Sequence, residues 1–307
     1  MMTIQHKKVL ITGADGFIGS YLTKALIDKN YSVSVLVKNN NLRRLKFIKD
    51  KIEILIGDIN DPNLKLDKYD IIYHLAALTD LKKCSENPKL AFNENVLGTI
   101  NLLSNINNKS KFILISTLGV YGEPKYFPVN EDHTTYPIEP YAASKLASEN
   151  FVLGFCKSRE INYCIVRLFN VYGPGQRNDF VIPMIINQFL NNKKLQLNNL
   201  DSSRDFIFID DVINALIKIG ESENSEIYNV GTGKETTIKE IIEILKKITQ
   251  MNIKQEILKK RGLKNTVRRS VADISKIQKE IGWHPSVDIN DGLLKTWRYY
   301  GASRINR

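Results

Sequence analysis

A chain of 307 residues with 43% hydrophobic residues has enough apolar material for one large domain or two unequal ones, which excludes a disordered polymer. Cys84, Cys156 and Cys164 form no Cys-x-x-Cys, and His6, His74, His133 and His284 show no ligand spacing, so neither a disulfide framework nor a metal site is expected. The net charge of +11 raises a nucleic-acid reading, but the basic residues are dispersed and Arg43-Arg44, Lys259-Lys260-Arg261 and Arg268-Arg269 lack interleaved aromatics; a solvated surface or a small anionic ligand fits better.

Short runs rich in valine, isoleucine and leucine at residues 8–12, 31–37, 52–56, 70–76, 111–116 and 161–168 read as buried parallel strands. Helical periodicity fills residues 17–29, 88–107 and 141–159, giving the alternation of a doubly wound α/β sheet whose ligand crevice lies at the carboxyl ends of its strands. No apolar run reaches the length of a membrane span, and the early strand leaves no room for a signal peptide, so a cytoplasmic protein without a membrane partner is expected. After about residue 170 the rhythm changes. Gly173-Pro174-Gly175 punctuates a loop-rich stretch with one helix at 183–190, and a strand at 206–209 leads to Asp210-Asp211 as an N-cap pair for a helix at 212–220. Helices at 238–249, 274–281 and 291–300 finish the chain. The expected division is a Rossmann domain of residues 1–170 plus about 205–230, and a smaller substrate domain of about 171–204 plus 231–307, enclosing a cleft.

Gly13, Gly16 and Gly19 follow a strand and open a helix, the context of a dinucleotide fingerprint: a tight turn, close approach of backbone N–H groups to a pyrophosphate, and close helix–sheet packing. At the end of the second strand, where an NAD-binding chain places an acidic residue for the ribose hydroxyls, stand Val37 and Lys38. A cation there suits a 2'-phosphate, so NADP(H) is expected over NAD(H), with Lys38 and Arg43 as contacts. Asp58 is placed to hydrogen-bond adenine or to cap a helix. Tyr141 and Lys145 share a helix face at i and i+4, setting an ammonium beside a phenol. Bringing that phenol from a pKa near 10 to near 7 requires about 4 kcal/mol, which the lysine and an oxidised nicotinamide would jointly provide for proton transfer.

These features resemble an extended short-chain dehydrogenase/reductase of the NAD-dependent epimerase/dehydratase group, whose members act on nucleotide-linked sugars. The likeness runs nearly end to end, through residues 12–20, Gly57-Asp58, His74-Leu75-Ala76-Ala77, residues 95–99, Ser116-Thr117, residues 141–145, Arg167, residues 170–176, Arg204-Asp205-Phe206, Asp210-Asp211-Val212, residues 229–233, 272–276 and 282–285. The resemblance implies cofactor contacts from Gly13, Asp15, Gly16, Phe17, Ile18, Gly19, Asp58, Ile59, Leu75, Ala76, Ala77 and Asn95, besides Lys38, Tyr141 and Lys145. It also implies that Thr117 hydrogen-bonds the reacting sugar oxygen, Tyr141 exchanges its proton, and Lys145 holds the nicotinamide ribose. Asn170, Arg204 and Arg268 match positions that grip the nucleotide diphosphate; Arg204 has a structural ion pair with Asp205 as its alternative reading. Leu118-Gly119 stands where sugar 4,6-dehydratases carry an acidic pair, which argues against dehydration and against the related decarboxylation. A 4-keto-6-deoxy nucleotide-sugar 4-reductase is therefore expected, with an NAD-dependent 4-epimerase as the alternative and a non-catalytic dinucleotide sensor as the reading from another class. The resemblance further implies a homodimer formed by the helices at 88–107 and 141–159.

Overall fold

The computed structural model describes residues 7–40, 42–191, 194–197, 200–251, 255–257 and 269–305. Seven parallel strands form the central sheet: β1 (Lys8–Thr12), β2 (Ser32–Val37), β3 (Glu53–Ile56), β4 (Ile71–His74), β5 (Lys111–Thr117), β6 (Asn162–Leu168) and β11 (Glu226–Val230). Their order is β11-β6-β5-β4-β1-β2-β3, so the winding direction reverses between β1 and β4. A ligand crevice belongs above that reversal, at the carboxyl ends. Alternate residues of each strand enter two separate cores. Val9 and Ile11 of β1 pack on one face with Val35, Ile113 and Val166, while Leu10 packs on the other with Ile72, Phe112 and Ile165. Burial on both faces is why the strands read as continuous apolar runs.

Helix α1 (Phe17–Asp28) follows β1, and α5 (Pro140–Arg159) lies between β5 and β6. The helix expected over 88–107 runs without interruption from Pro88 to Ser104, as α3 (Pro88–Ala91), a π-helical turn at Phe92–Leu97 and α4 (Gly98–Ser104), and a short α2 (Leu81–Glu86) precedes it. The widened turn carries the fully buried Asn95, and such insertions place a side chain that regular 3.6-residue spacing would aim elsewhere. Beyond β6 come β7 (Asn170–Tyr172), α6 (Val181–Leu190), β8 (Leu195–Leu197), β9 (Ser203–Arg204), β10 (Phe206–Phe208) and α7 (Ile209–Glu221), after which the chain re-enters the main sheet at β11. The last stretch contains β12 (Thr236–Thr237), α8 (Ile238–Thr249), β13 (Gln255–Ile257), β14 (Arg269–Ser270), α9 (Ser275–Ile281) and α10 (Ile289–Ile305). β7 pairs with β10, β8 with β13, and β9 joins β12 to β14. Asp210 and Asp211 do not cap α7, whose N-cap is Phe208. Instead the buried Asp211 accepts hydrogen bonds from Ser286 N, Ser286 Oγ and Val287 N at 2.8–3.0 Å, and Asp210 lies 3.5 Å from Lys295 Nζ. Their work is to bind the C-terminal segment to the sheet domain. Among the described residues no helix is long and apolar enough to cross a membrane.

One buried hydrogen-bond chain ties the sheet to the helices beside the crevice. Ala76 N donates to Thr12 Oγ1 (3.1 Å), which lies 2.8 Å from His74 Nδ1; His74 Nε2 lies 3.0 Å from Thr99 Oγ1, which donates to Asn95 O (2.6 Å). This donor order assigns His74 as a neutral imidazole with its proton on Nε2. Burial, then the charge of Lys145, lowers its pKa from 6.5 to about 3. A folded state that disfavours the imidazolium contributes its stability in full above pH 6.5 and loses it as pH falls towards 3, with a slope of at most about 1.4 kcal/mol per pH unit. Urea unfolding at pH 7.0 and pH 5.5 should show a loss about 1 kcal/mol larger in the native protein than in His74→Gln; equal losses would contradict the assignment.

Candidate active site

Helix α1 begins without help from any side chain. Gly16 is its N-cap, makes no side-chain cap and has no acidic residue in the turn after it, so the first N–H groups of the helix face the loop between β1 and α1. Close packing enforces glycine here. Gly13 has φ +69°, a Cβ on it would lie 2.7 Å from Ala76 N, and one on Gly19 would lie 2.3 Å from Gly13 O. Leu75 N donates to Thr12 O (3.2 Å), which brings Leu75, Ala76 and Ala77 alongside this loop at the end of β4. Phe17 and Ile18 pack their side chains against the core, and the Asp15 carboxylate accepts from Arg44 N (2.8 Å).

Around the second and third strands the structure lends the expected NADP(H) preference no support. Lys38 Nζ is bonded to both Glu94 oxygens (2.9 and 3.0 Å) and lies 3.2 Å from Asp58. Two carboxylates against one ammonium leave this corner net negative, which disfavours added phosphate charge. Asp58 also accepts from Asn60 N (2.9 Å), and that bond leads the causes that lower its pKa. Ile59 is buried against Gly98.

Thr117 ends β5 and caps the short 3-10 turn Leu118–Tyr121. Its Oγ1 accepts from Gly119 N (3.1 Å), which uses a lone pair and leaves the hydroxyl proton for another acceptor. Asn95 spends its amide inside the protein: Oδ1 accepts from Leu78 N (2.7 Å), while Nδ2 donates to Leu78 O (3.2 Å) and Ser144 Oγ (2.8 Å). Ser144 in turn donates to Tyr141 O (2.7 Å), so the buried chain from His74 ends at the turn that carries the phenol.

Lys145 is only 2% exposed. Burial lowers its pKa from 10.5 to about 8, opposed by the Glu149 carboxylate one further turn along. At Tyr141, burial, followed by Glu139 and Cys84, raises the phenol well above its usual value, and the expected lowering counts on the lysine together with an oxidised nicotinamide. Glu149 is 2.7 Å from Arg167 Nη2 and accepts from Ser116 Oγ; this pair was not singled out in the sequence, although 141, 145 and 149 recur at helical spacing.

The residues matched to diphosphate binding lie on the short strands. Asn170 Nδ2 donates to Asp205 O (3.4 Å) and Ser270 Oγ (3.3 Å), and Arg204 Nη1 donates to Ser203 O (2.7 Å). The Asp205 carboxylate is occupied by Thr232 N, Thr232 Oγ1, Gly233 N and Ala272 N at 2.6–3.1 Å. Arg268 lies outside the described residues. A cavity of about 460 Å³ sits at the opposite, amino-terminal end of the sheet, lined in part by Lys68 and Lys111. Those cations are already engaged: Lys111 Nζ donates to Ile219 O and Ser222 O, and Lys68 pairs with Glu53.

A family model described as GDP-mannose 4,6 dehydratase matches residues 10–296. The chain is 33% identical over 298 residues to a putative UDP-glucose 4-epimerase of Methanocaldococcus jannaschii, covering 93% of this chain and 95% of that one. It is 29% identical to a GDP-6-deoxy-D-mannose reductase of Pseudomonas aeruginosa, covering 94% and 95%. Among solved structures, a UDP-glucuronic acid 4-epimerase from Bacillus cereus in complex with UDP-glucuronic acid and NAD superposes with a TM-score of 0.86 at 31% identity, covering 96% and 99%. With its glycine loop, strand order and Tyr-x-x-x-Lys helix, the chain belongs to the extended short-chain dehydrogenase/reductase family of NAD-dependent nucleotide-sugar epimerases, dehydratases and reductases.

Proposed function

We propose that this enzyme carries out hydride exchange at C4 of a nucleotide-linked hexose, as an NAD-dependent 4-epimerase. The observation that carries the reading is the placing of Tyr141 and Lys145 one helical turn apart on one face of α5, with the lysine 2% exposed. Vicinal ribose hydroxyls are acceptors that such an ammonium would meet. The start of α1 and the backbone of residues 75–77 fit a pyrophosphate-bearing dinucleotide, and a bound nicotinamide supplies the hydride acceptor and donor. Tyr141 takes the proton of the C4 hydroxyl as that carbon is oxidised and returns it on reduction, while Thr117 donates to the same oxygen. Because burial raises the phenol, the positive charge that acidifies it must come in part from the oxidised ring. Arg204 and Asn170, with Arg268, hold the diphosphate. The two lobes are residues 1–170 with about 205–230, and about 171–204 with 231–307, and the sugar lies between them.

The sequence-based preference for a 4-keto reductase rested on Lys38 standing in place of an acidic residue, and its pairing with Glu94 and Asp58 weakens that support. NADPH-dependent reduction is retained as a second reading because Lys38 remains 54% exposed at the end of β2 and one relative is a reductase. No carboxylate follows Thr117, where Leu118 and Gly119 stand, so dehydration is not proposed. Leu90, Phe92, Leu97 and Phe151 are 38–48% exposed on α3, the π turn and α5, and this apolar face is the proposed homodimer contact.

Tyr141→Phe should lower turnover at least about a thousandfold while leaving NAD affinity within about threefold; retained turnover would end the acid/base assignment. In a nucleotide-sugar panel, interconversion of C4 epimers without net change in NADH absorbance is expected, with NADH bound at least about tenfold more tightly than NADPH. Stoichiometric NADPH oxidation by a 4-keto sugar would establish the reductase instead. Leu97→Glu combined with Phe151→Glu should convert a dimer to a monomer in sedimentation experiments, and an unaltered dimer would place the contact elsewhere.

A further inference from the structure

The cavity of about 460 Å³ lies where the parallel strands begin, at the end of the sheet remote from the glycine loop. Lys8, Ile71, Lys111 and Asn162 line it, and they are the first residues of β1, β4, β5 and β6. Pairing in register thus brings four segments to one hollow. Five of the described lining residues are lysines: Lys7, Lys8, Lys68, Lys109 and Lys111. The carboxylates there are Asp70, whose oxygen accepts from Lys8 N at 2.7 Å, and Glu223. Even with Glu53 counted, which pairs with Lys68, cations outnumber anions five to three. Lys111 is 6% exposed, while the other four stand exposed around it. Its ammonium donates to Ile219 O (2.7 Å), Ser222 O (2.6 Å) and Ser222 Oγ (3.1 Å). Those oxygens are neutral, so they solvate the charge without balancing it. Burial lowers the Lys111 pKa, and Lys7 acts in the same direction.

We propose that this hollow is a second ligand site, separate from the candidate active site, which takes an anion carrying two or three linked phosphoryl groups. A concave surface lined by one sign of charge focuses its field on the space it encloses. The volume falls within the roughly 300–1,000 Å³ of small-molecule pockets. Among the described lining residues there is no arginine, whose planar fork is the best grip on a carboxylate, and lysine acts on phosphoryl oxygens as a point charge. No aromatic ring lines the hollow either, so it offers a nucleic-acid strand no stacking platform. The ammonium groups come from the starts of β1 and β5 and from the turns before β4 and β5, so a chain of charged groups meets more of them than a single carboxylate can. Inorganic polyphosphate and nucleoside triphosphates share this chemistry. Either would bridge the beginnings of strands whose far ends carry the glycine loop and Thr117, and would stabilise the fold by mass action.

The test is calorimetric titration of the full chain with sodium tripolyphosphate at about 0.15 M ionic strength, where distant exposed charges are largely screened. Saturable one-to-one binding is expected, weakened about tenfold or more in Lys8→Gln with Lys109→Gln. The pair Lys239→Gln with Lys247→Gln removes the same charge from exposed positions on α8 and should leave affinity within about twofold. Thermal unfolding should follow the same order, with tripolyphosphate raising the Tm of the native protein and of the α8 variant but not of the cavity variant. Adenosine triphosphate, titrated beside it, separates the two sources. Tighter binding than tripolyphosphate, lost in the cavity variant, marks a nucleotide as the occupant; equal or weaker binding marks an inorganic chain. Absence of saturable binding by both, affinity unchanged in the cavity variant, or equal losses in the two variant pairs overturns the proposal.

Discussion

A charged amine survives in a protein interior only where something offsets its lost hydration, and the arrangement around Lys145 is organised by that constraint. Burial pushes the Lys145 pKa down to about 8, and the Glu149 carboxylate one helical turn along α5 opposes that fall. That carboxylate is in turn anchored by an arginine from the adjacent strand. Burial makes the site costly and gives it value at once: low polarity strengthens every interaction a bound ligand would make there.

Two consequences follow for the neighbouring groups. Tyr141 is partly buried beside the lysine, and burial raises its phenol above the usual value. Histidine 74 is likewise kept neutral, which suits its place as a relay of hydrogen bonds from the glycine-loop strand to Asn95. From Asn95 the bonds continue through Ser144 to the Tyr141 backbone. One chain of buried hydrogen bonds thus joins the glycine-loop strand to the turn that carries Tyr141.

The surface corner at Lys38 illustrates how a sequence reading of charge omits partners from remote segments. A lysine where an acid is usual suggested a phosphate contact, yet Glu94, distant by 56 positions, folds back from the π turn onto it. Charge at a point in space is the sum over whatever the fold gathers there. In the same way, Asp210 and Asp211 looked like a helix cap because they precede a periodic segment. The helix starts earlier, and the two carboxylates reach towards the C-terminal segment instead.

The order of strands and helices, the glycine loop and the Tyr141–Lys145 spacing were legible in the sequence, because each is a local pattern: period two or 3.6, and glycines at a strand–helix junction. What the sequence left open were relations between distant segments. The π turn within the helix after Pro88, the partners of Lys38, the neutral state of His74 and the Glu149–Arg167 pair each require knowing which segments meet. Local periodicity reports on neighbours along the chain, whereas proton affinities and ion pairs are set by burial and by charges brought close from remote positions, which only the tertiary structure decides.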